Sequence, residues 1–533
     1  MSTITLPAQT APRRPPGPRA EVVELPAVLD CSQVSAAVEG DSPALVELRD
    51  GASVHLATSR DGLERILATG APVYGSTTGF GPHVLYAAAE DPYSHGSGLI
   101  AHLASGAGSL LPPPVVRAMM LVRANALAQG HSGVRPQTLA AYLAVLNRGL
   151  VPAVPELGSV GASGDLIPLA HVARLLTGEG SALAAGPHAH LLGQTRPARE
   201  ALASVGLEPT ALDARDALSL VNGTSYSTAL AALAVVRARR LTERAADLTG
   251  WLYASLGARL QALDPRLHAV RRQRGQQRAA ALIRTAASAS SGGHNPEHPR
   301  RSLQEVYSLR CAPQVLGPSL DLVEFAAGLV DDELAGVNDN PVLSPDEDAP
   351  AGWVALHGGN FHAAAVATAA DTLTGALTQV AVLAERHIDV LASPQTSRGP
   401  LLLATRPGAQ AGLAGAQLTA SAILAEIRHA CAWASTMSVP TNAGNQDIVP
   451  MAPLAARTAL SQADRLTTIL AVLAVALGQY QHLVAGGLAD GFAAAKPAWL
   501  STVAGFDCDV ETHSLIAAAR TDLLAADAHA VRL

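Results

Sequence analysis

A chain of 533 residues, 49% hydrophobic but only 3% aromatic and 15% charged, can bury a large core and enclose an active site, and its abundant Ala and Leu favour close-packed helices over strands. A formal net charge of -7 and a pI near 6.2 provide no general basic field, which argues against nucleic acid as a partner and for a small-molecule ligand. Cys31, Cys311, Cys431 and Cys508 lie far apart with no CxxC spacing, which argues against a zinc ribbon and a disulfide framework and points to a reducing cytoplasm.

Residues 1–20 carry arginines and prolines but no apolar core of a secretory signal, and read as a disordered tail. Residues 21–220 are expected to form an N-terminal lobe and residues 221–533 a central and C-terminal helical bundle. From Val22 to Ala71 the pattern is mixed, and the glycine-rich turn Tyr74-Gly-Ser-Thr-Thr-Gly-Phe-Gly81 that follows is expected to be a loop. Helical patterns run from Val115 to Leu146, then prolines and the glycines between Val151 and Gly164 break them. A new helix is expected at Asp165, with Pro168 tolerated in its first turn, which puts Gly164 at a helix entrance.

Beyond Asn222 long Ala/Leu/Val helices alternate with polar loops, and no fixed-period repeat suggests a solenoid. Phe361 to Leu383 reads as the longest apolar run, with Asp371 inside it, and is expected at the centre of a bundle or of an oligomer. The loop Ser288 to Arg301 leads into a polar motif that starts at Gln304. The most apolar stretch, Ile469 to Leu477, is too short to cross a bilayer and is followed by Gln479 and Gln481, so it reads as a buried helix segment, with no membrane implied.

Several chemistries fail on residue type. Lys496 is the single lysine, and without a phosphate-cradling glycine loop beside it pyridoxal phosphate has no convincing anchor. His294 and His298 flank Glu297 in a proline-rich loop and read as surface residues, so no metal is expected. The segment Gly158-Ser-Val-Gly-Ala-Ser-Gly-Asp165 has Asp165 where a nucleophile elbow needs glycine, and its glycines at 158, 161 and 164 fit neither a P-loop nor a dinucleotide fingerprint. Taken alone it is a glycine-rich helix-entry turn.

Ala162-Ser163-Gly164 followed by Asp-Leu-Ile-Pro-Leu-Ala nevertheless resembles the cofactor-forming site of the histidine and aromatic amino-acid ammonia-lyases, and the likeness runs from Tyr74 to Met451. It implies a mainly α, long-helix, homotetrameric fold with an N-terminal lobe carrying this loop and with active sites shared between subunits. It also implies that the Gly164 nitrogen attacks the Ala162 carbonyl and that water is lost, including the Ser163 hydroxyl, leaving a methylidene-imidazolone (MIO). Such an electrophile suits the problem, because ammonia is a poor leaving group and the β-proton of an amino acid is weakly acidic. By the same resemblance Tyr74 is the base, which requires surroundings that lower its pKa.

Leu220-Val-Asn-Gly-Thr224 and Gln304-Glu-Val-Tyr-Ser-Leu-Arg310 resemble two further family motifs, so Asn222, Gln304, Tyr307 and Arg310 carry over. Arg310 is the natural partner of a substrate carboxylate, while Asn222 and Tyr307 would position the amine and the imidazolone carbonyl. Asn338-Asp-Asn-Pro341 and Gly358-Gly-Asn-Phe-His362 are also family-like, the second placing Phe361 near the substrate. Ala101-His-Leu-Ala-Ser-Gly106 resembles the selectivity segment, in which His102 and Leu103 form the tyrosine-handling pair, although histidine enzymes also carry a histidine there. Gln446 stands where histidine ammonia-lyases have a glutamate for the imidazole. The expectation is a cytoplasmic ammonia-lyase that converts tyrosine to trans-4-coumarate, closest in pattern to bacterial tyrosine ammonia-lyases and tyrosine aminomutases. A tyrosine 2,3-aminomutase and a histidine ammonia-lyase are the alternatives. A non-enzymatic helical scaffold would require losses among Tyr74, Ser163, Tyr307 and Arg310, and all four are present.

Overall fold

In the computed structural model the described residues are 21–39, 43–184, 189–294, 297–299, 301–501 and 503–525; the tail expected over 1–20 lies outside them. The mixed pattern at the start resolves into two short parallel strands, β1 (Val22–Leu25) and β2 (Leu45–Leu48), around α1 (Cys31–Val38), followed by α2 (Ala52–Ala68). Asp30 starts α1 by a capping box, its side chain accepting from the Gln33 amide while the Gln33 side chain accepts from its own.

The Tyr74 turn leads to α3 (Pro92–Leu103), opened by Asp91 and a first-turn proline. The strands β3 (Ala107–Leu110) and β4 (Pro155–Leu157) then pair antiparallel around α4 (Pro113–Ala128) and α5 (Pro136–Asn147). The helical pattern read from 115 to 146 is therefore two helices. Next come α6 (Leu166–Leu176), which starts just after Asp165 as the sequence indicates, the pair β5 (Ser181–Leu183) and β6 (Thr195–Pro197), α7 (Ala198–Ala203) and α8 (Ala214–Val221).

The bundle follows: α9 (Ser225–Leu256), α10 (Pro265–Ala269), α11 (Arg274–Ser290), α12 (Tyr307–Arg310) and α13 (Ala312–Ala335). After the hairpin β7 (Val342–Pro345) and β8 (Trp353–Leu356) come α14 (Ala364–Ala392), α15 (Pro394–Ser397), α16 (Ala414–His429), α17 (Ala452–Ala485) and α18 (Thr512–Leu524). α14 packs on α17 and α13, and α9 on α17 and α11, with alanines at the contacts allowing close approach. One apolar core runs from Leu25 to Leu523. It crosses the lobe boundary expected at residue 220, which falls inside α8.

Two expectations about helix length need correction. The 29 residues of α14 are exceeded by the 32 of α9 and the 34 of α17; the charged stretch Arg237 to Asp247 hides the continuity of α9 in the sequence. The stretch Ile469 to Leu477 is only the middle of α17, and by length and composition Ala214–Leu256, Ala364–Ala392 and Ala452–Ala485 are each able to span a membrane. Within the fold, 94%, 78% and 72% of their most apolar windows are buried in the chain itself. Asp371, in the middle of α14, is buried and satisfied: it accepts from the Ala434 and Ser435 amides at 3.0 and 2.9 Å.

Candidate active site

The segment before α6 is held from beneath by Asp165. Its carboxylate accepts from Ser159 Oγ at 2.9 Å and from Ser227 N and Oγ at 2.7 and 2.9 Å, and its own amide donates to the Gly223 carbonyl at 2.7 Å. Burial pushes this carboxyl up to about 6, against the hydrogen bonds from Ser227 and Ser159. In the turn so fixed, Ala162 and Gly164 face each other across Ser163 through a one-residue backbone bridge. Gly164 adopts φ +68°, and a Cβ there would lie 2.3 Å from the Gly223 carbonyl oxygen, so no other residue allows this fold-back. The Ser163 hydroxyl accepts from Gln446 Nε2 at 2.7 Å, and Gln446 Oε1 accepts from Thr441 Oγ1 at 2.6 Å.

Asn222 follows α8 and is 3% exposed. Its Nδ2 donates to the Asn340 carbonyl at 3.0 Å, while its Oδ1 is buried with no hydrogen-bond partner among the described residues. A buried acceptor left open in this way costs stability unless a ligand supplies a donor. Beneath it the Asn-Asp-Asn-Pro loop is fastened by Arg123, which pairs with Asp339 and donates to Asn338 Oδ1 at 3.1 Å. The sequence shows that motif without revealing this supporting role.

Opposite stands Tyr74, half-buried on its turn. The turn closes on itself through Gly79 N to the Tyr86 carbonyl and Ala88 N to the Thr77 carbonyl, at 3.0 and 3.1 Å. The Tyr74 ring meets Phe80 edge-on at 6.3 Å, and Phe80 stacks on His95 at 4.4 Å. The phenol oxygen accepts from the Gly81 amide at 2.8 Å. Gly81 has φ +56°, and a Cβ there would come within 2.6 Å of Asn442 Nδ2, so the Asn442 side chain would have to move to admit one. The lowered pKa expected of Tyr74 is not found: burial raises it, and the Gly81 hydrogen bond opposes burial only in part.

These elements enclose a cavity of about 820 Å³ lined by Tyr74, His102, Leu103, Ala162, Ser163, Gly164, Asn222, Phe361 and Gln446, all expected from sequence, and also by His95, Asn340 and Thr441, which were not. The volume suits a small amino acid. His102 lies at the exposed end of α3, and its Nδ1 is 3.0 Å from the Gly98 carbonyl. A carbonyl only accepts, so Nδ1 carries the proton and Nε2 is left as an acceptor. Gln304, Tyr307 and Arg310 do not line this cavity. They lie at or beside α12, where Tyr307 is 69% exposed and the Arg310 guanidinium sits 4.4 Å over the Tyr307 ring. Nothing in the local sequence pattern distinguishes a motif that serves its own pocket from one that faces outward. Glu297 pairs with Arg259 and His298 with Asp490, and among the described residues no group of three or more His, Cys, Asp or Glu could hold a metal ion.

Residues 29–498 match the family model described as aromatic amino acid lyase. The chain is 42% identical over 440 residues to histidine ammonia-lyase of Gloeobacter violaceus, covering 81% of this chain and 80% of that one. It is 39% identical over 496 residues to tyrosine ammonia-lyase of Cereibacter sphaeroides, covering 90% and 91%. Among solved structures, tyrosine aminomutase from Streptomyces globisporus superposes with a TM-score of 0.84 at 32% identity, covering 95% of this chain and 96% of that one.

Proposed function

The chain belongs to the aromatic amino acid lyase family, and we propose that it eliminates ammonia from L-tyrosine to give trans-4-coumarate. The observation that carries the substrate is His102: it lines the cavity, and with Nδ1 engaged its Nε2 is the acceptor, which matches a phenol O–H. Gln446 supports the same choice, because a neutral amide is a poor partner for imidazolium. Relatives of similar identity are histidine and tyrosine ammonia-lyases, so ancestry alone favours neither substrate.

Ala162-Ser163-Gly164 fits the MIO group on two counts: the backbone at Gly164 is folded back without room for a side chain, and the open Oδ1 of Asn222 awaits a donor. Formed from these three residues, that group would supply an electrophilic alkene as the electron sink for the amine. Asn222 Oδ1 then accepts an amine N–H, Tyr74 Oη removes the β-proton, and His102 Nε2 fixes the ring. Phe361 and Leu103 pack against the ring and keep water from it.

The carboxylate needs Arg310, and α12 turns that residue and Tyr307 away from its own cavity. We therefore read the working enzyme as a homo-oligomer, in the family manner a tetramer, in which α12 of one copy completes the cavity of another. Cytoplasmic residence belongs to the same reading and is supported by four cysteines that are all unpaired. The likeness to a tyrosine aminomutase favours one second reading, return of the amine to the β-carbon of the retained product. An assay for β-tyrosine beside coumarate decides it.

Two results test these assignments. His102→Phe should lower kcat/KM for tyrosine and raise it for phenylalanine, because each mismatch leaves one polar group unpaired, worth about 1–3 kcal/mol. An unchanged tyrosine-to-phenylalanine ratio, or a parent enzyme that prefers histidine, would overturn the pocket assignment. Co-expressed Tyr74→Phe and Arg310→Ala chains, each inactive alone, should regain about a quarter of the parent activity, the fraction of sites that draw both intact residues from different copies. No recovery would show that Tyr74 and Arg310 act within one chain, and an Arg310→Ala chain active on its own would show that Arg310 has no role in the site.

A further inference from the structure

We infer that His387, inside α14, is a positioning residue for the carboxylate clamp: it tethers the backbone of α12 at Ser308 and so aims Arg310. His387 is 1% exposed, and its Nε2 lies 2.7 Å from the Ser308 carbonyl oxygen. Because that oxygen can only accept, Nε2 carries the proton. Burial lowers the ring's pKa to about 4, so the imidazole is neutral and the donor persists across the neutral range.

A tether is needed because α12 has four residues, far too few for a helix that holds itself. Its Tyr307 carbonyl accepts from the Cys311 amide at 2.8 Å, and the later ones fall in the last turn, which a helix leaves open to outside donors. Ser308 stands between Tyr307 and Arg310, so displacing it moves both. Leu309 anchors α12 in the apolar core, and the remaining polar ties act on its entrance. Arg310 Nε donates to the Glu305 carbonyl at 2.9 Å, the Glu305 carboxylate pairs with Arg301 at 2.8 Å, and Arg301 Nη1 donates to the Thr396 carbonyl at 2.8 Å. With Nε engaged, Arg310 presents its two terminal nitrogens, and their direction depends on a backbone whose outer side, at Leu303 and Tyr307, is solvent. His387 is the hydrogen-bonding hold on α12 from the interior. An error of about 1 Å in such a group is enough to weaken a substrate-binding interaction severely.

The inference rests on Arg310 as the carboxylate partner, and the experiment separates the two. KM and kcat for tyrosine, and inhibition by 3-(4-hydroxyphenyl)propionate and by its carboxamide, are measured for His387→Leu, His387→Gln, Arg310→Ala and the Leu/Ala double variant. His387→Leu should raise KM and the carboxylate inhibition constant about tenfold, the scale of one misaligned charge-assisted hydrogen bond. The carboxamide constant and the matured mass should not move. His387→Gln, whose amide again donates to Ser308, should return KM to near the parent value, and His387→Leu should add nothing once Arg310 is alanine. Equal weakening of carboxylate and carboxamide, no rescue by glutamine, or full additivity in the double variant would overturn the positioning role. If Arg310→Ala leaves the carboxylate constant unchanged, the clamp reading itself fails. Should the leucine variant not fold, His387→Asn, too short to reach Ser308, takes its place against His387→Gln with the same outcomes.

Discussion

Ser163→Ala is expected to yield a folded, associated protein with no measurable ammonia release, a loss of at least ~1,000-fold, or about 4 kcal/mol of transition-state stabilisation. The loss is chemical. The substitution deletes the one hydroxyl whose departure creates the alkene, and nothing else in the cavity offers an electron sink for a poor leaving group. The structural cost is small, because Ser163 Oγ accepts one hydrogen bond, from Gln446 at 2.7 Å, and the amide so released faces an open cavity; about 1 kcal/mol is the expected scale. The turn itself is fixed elsewhere, by Asp165 and by the contact of Gly164 with Gly223. Intact-mass measurement provides the check: the parent should be two waters lighter than its translated sequence and the variant should match its own. A parent of unmodified mass, or an active alanine variant, would end the electrophile assignment.

Tyr74→Phe should keep the matured mass and lose turnover by at least ~100-fold, the usual scale for a positioned acid–base group. The lost oxygen accepts one backbone hydrogen bond, from Gly81 at 2.8 Å, and the aromatic contacts with Phe80 and His95 stay in place, so the turn should keep its shape. The pH profile carries the sharper signature. Burial raises the Tyr74 pKa, so in the neutral range only a small phenolate fraction exists, and that fraction grows about tenfold per pH unit. The parent kcat/KM should therefore climb from about pH 6 to about pH 8.5, and the residual activity of the phenylalanine variant should be flat. Near-normal activity, or parallel profiles in both proteins, would mean that another base serves.

The sequence displays the parts of this site more clearly than their arrangement. Glycine betrays the electrophile turn because its absence of a side chain is itself the signal: at Gly164 the backbone of Gly223 lies within a distance that no Cβ tolerates. Asp165 is visible as a helix start, yet its second role, gathering Ser159 and Ser227 under the turn, joins residues 62 positions apart and leaves no local pattern. Thr441, which orients the Gln446 amide, and His95, which stacks beneath Phe80, are ordinary residues in ordinary stretches. Their function is purely spatial. The helical class follows from composition, whereas the length of α9 is obscured by its charged middle, because periodicity averages over a window and a polar turn breaks the average. Whether Arg310 faces inward or outward depends on how α12 is moored to α14, a contact between residues 308 and 387 that no reading along the chain reveals.

The three membrane-grade helices have a consequence for biosynthesis. α9 and α14 both pack on α17, and α17 is the last of the three to leave the ribosome. Until residue 485 has emerged, two helices of span-like hydropathy lack their main partner and present to the cell the signal by which nascent membrane proteins are recognised. The earlier helices can pack on one another as the chain lengthens, α9 with α11 and α13 with α14, but the bundle stays open on the face that α17 covers. A premature stop before Ala452 therefore leaves a client for chaperones or proteases, not a smaller enzyme, and the yield of active protein is governed by the traffic of unfinished chains as much as by the stability of finished ones.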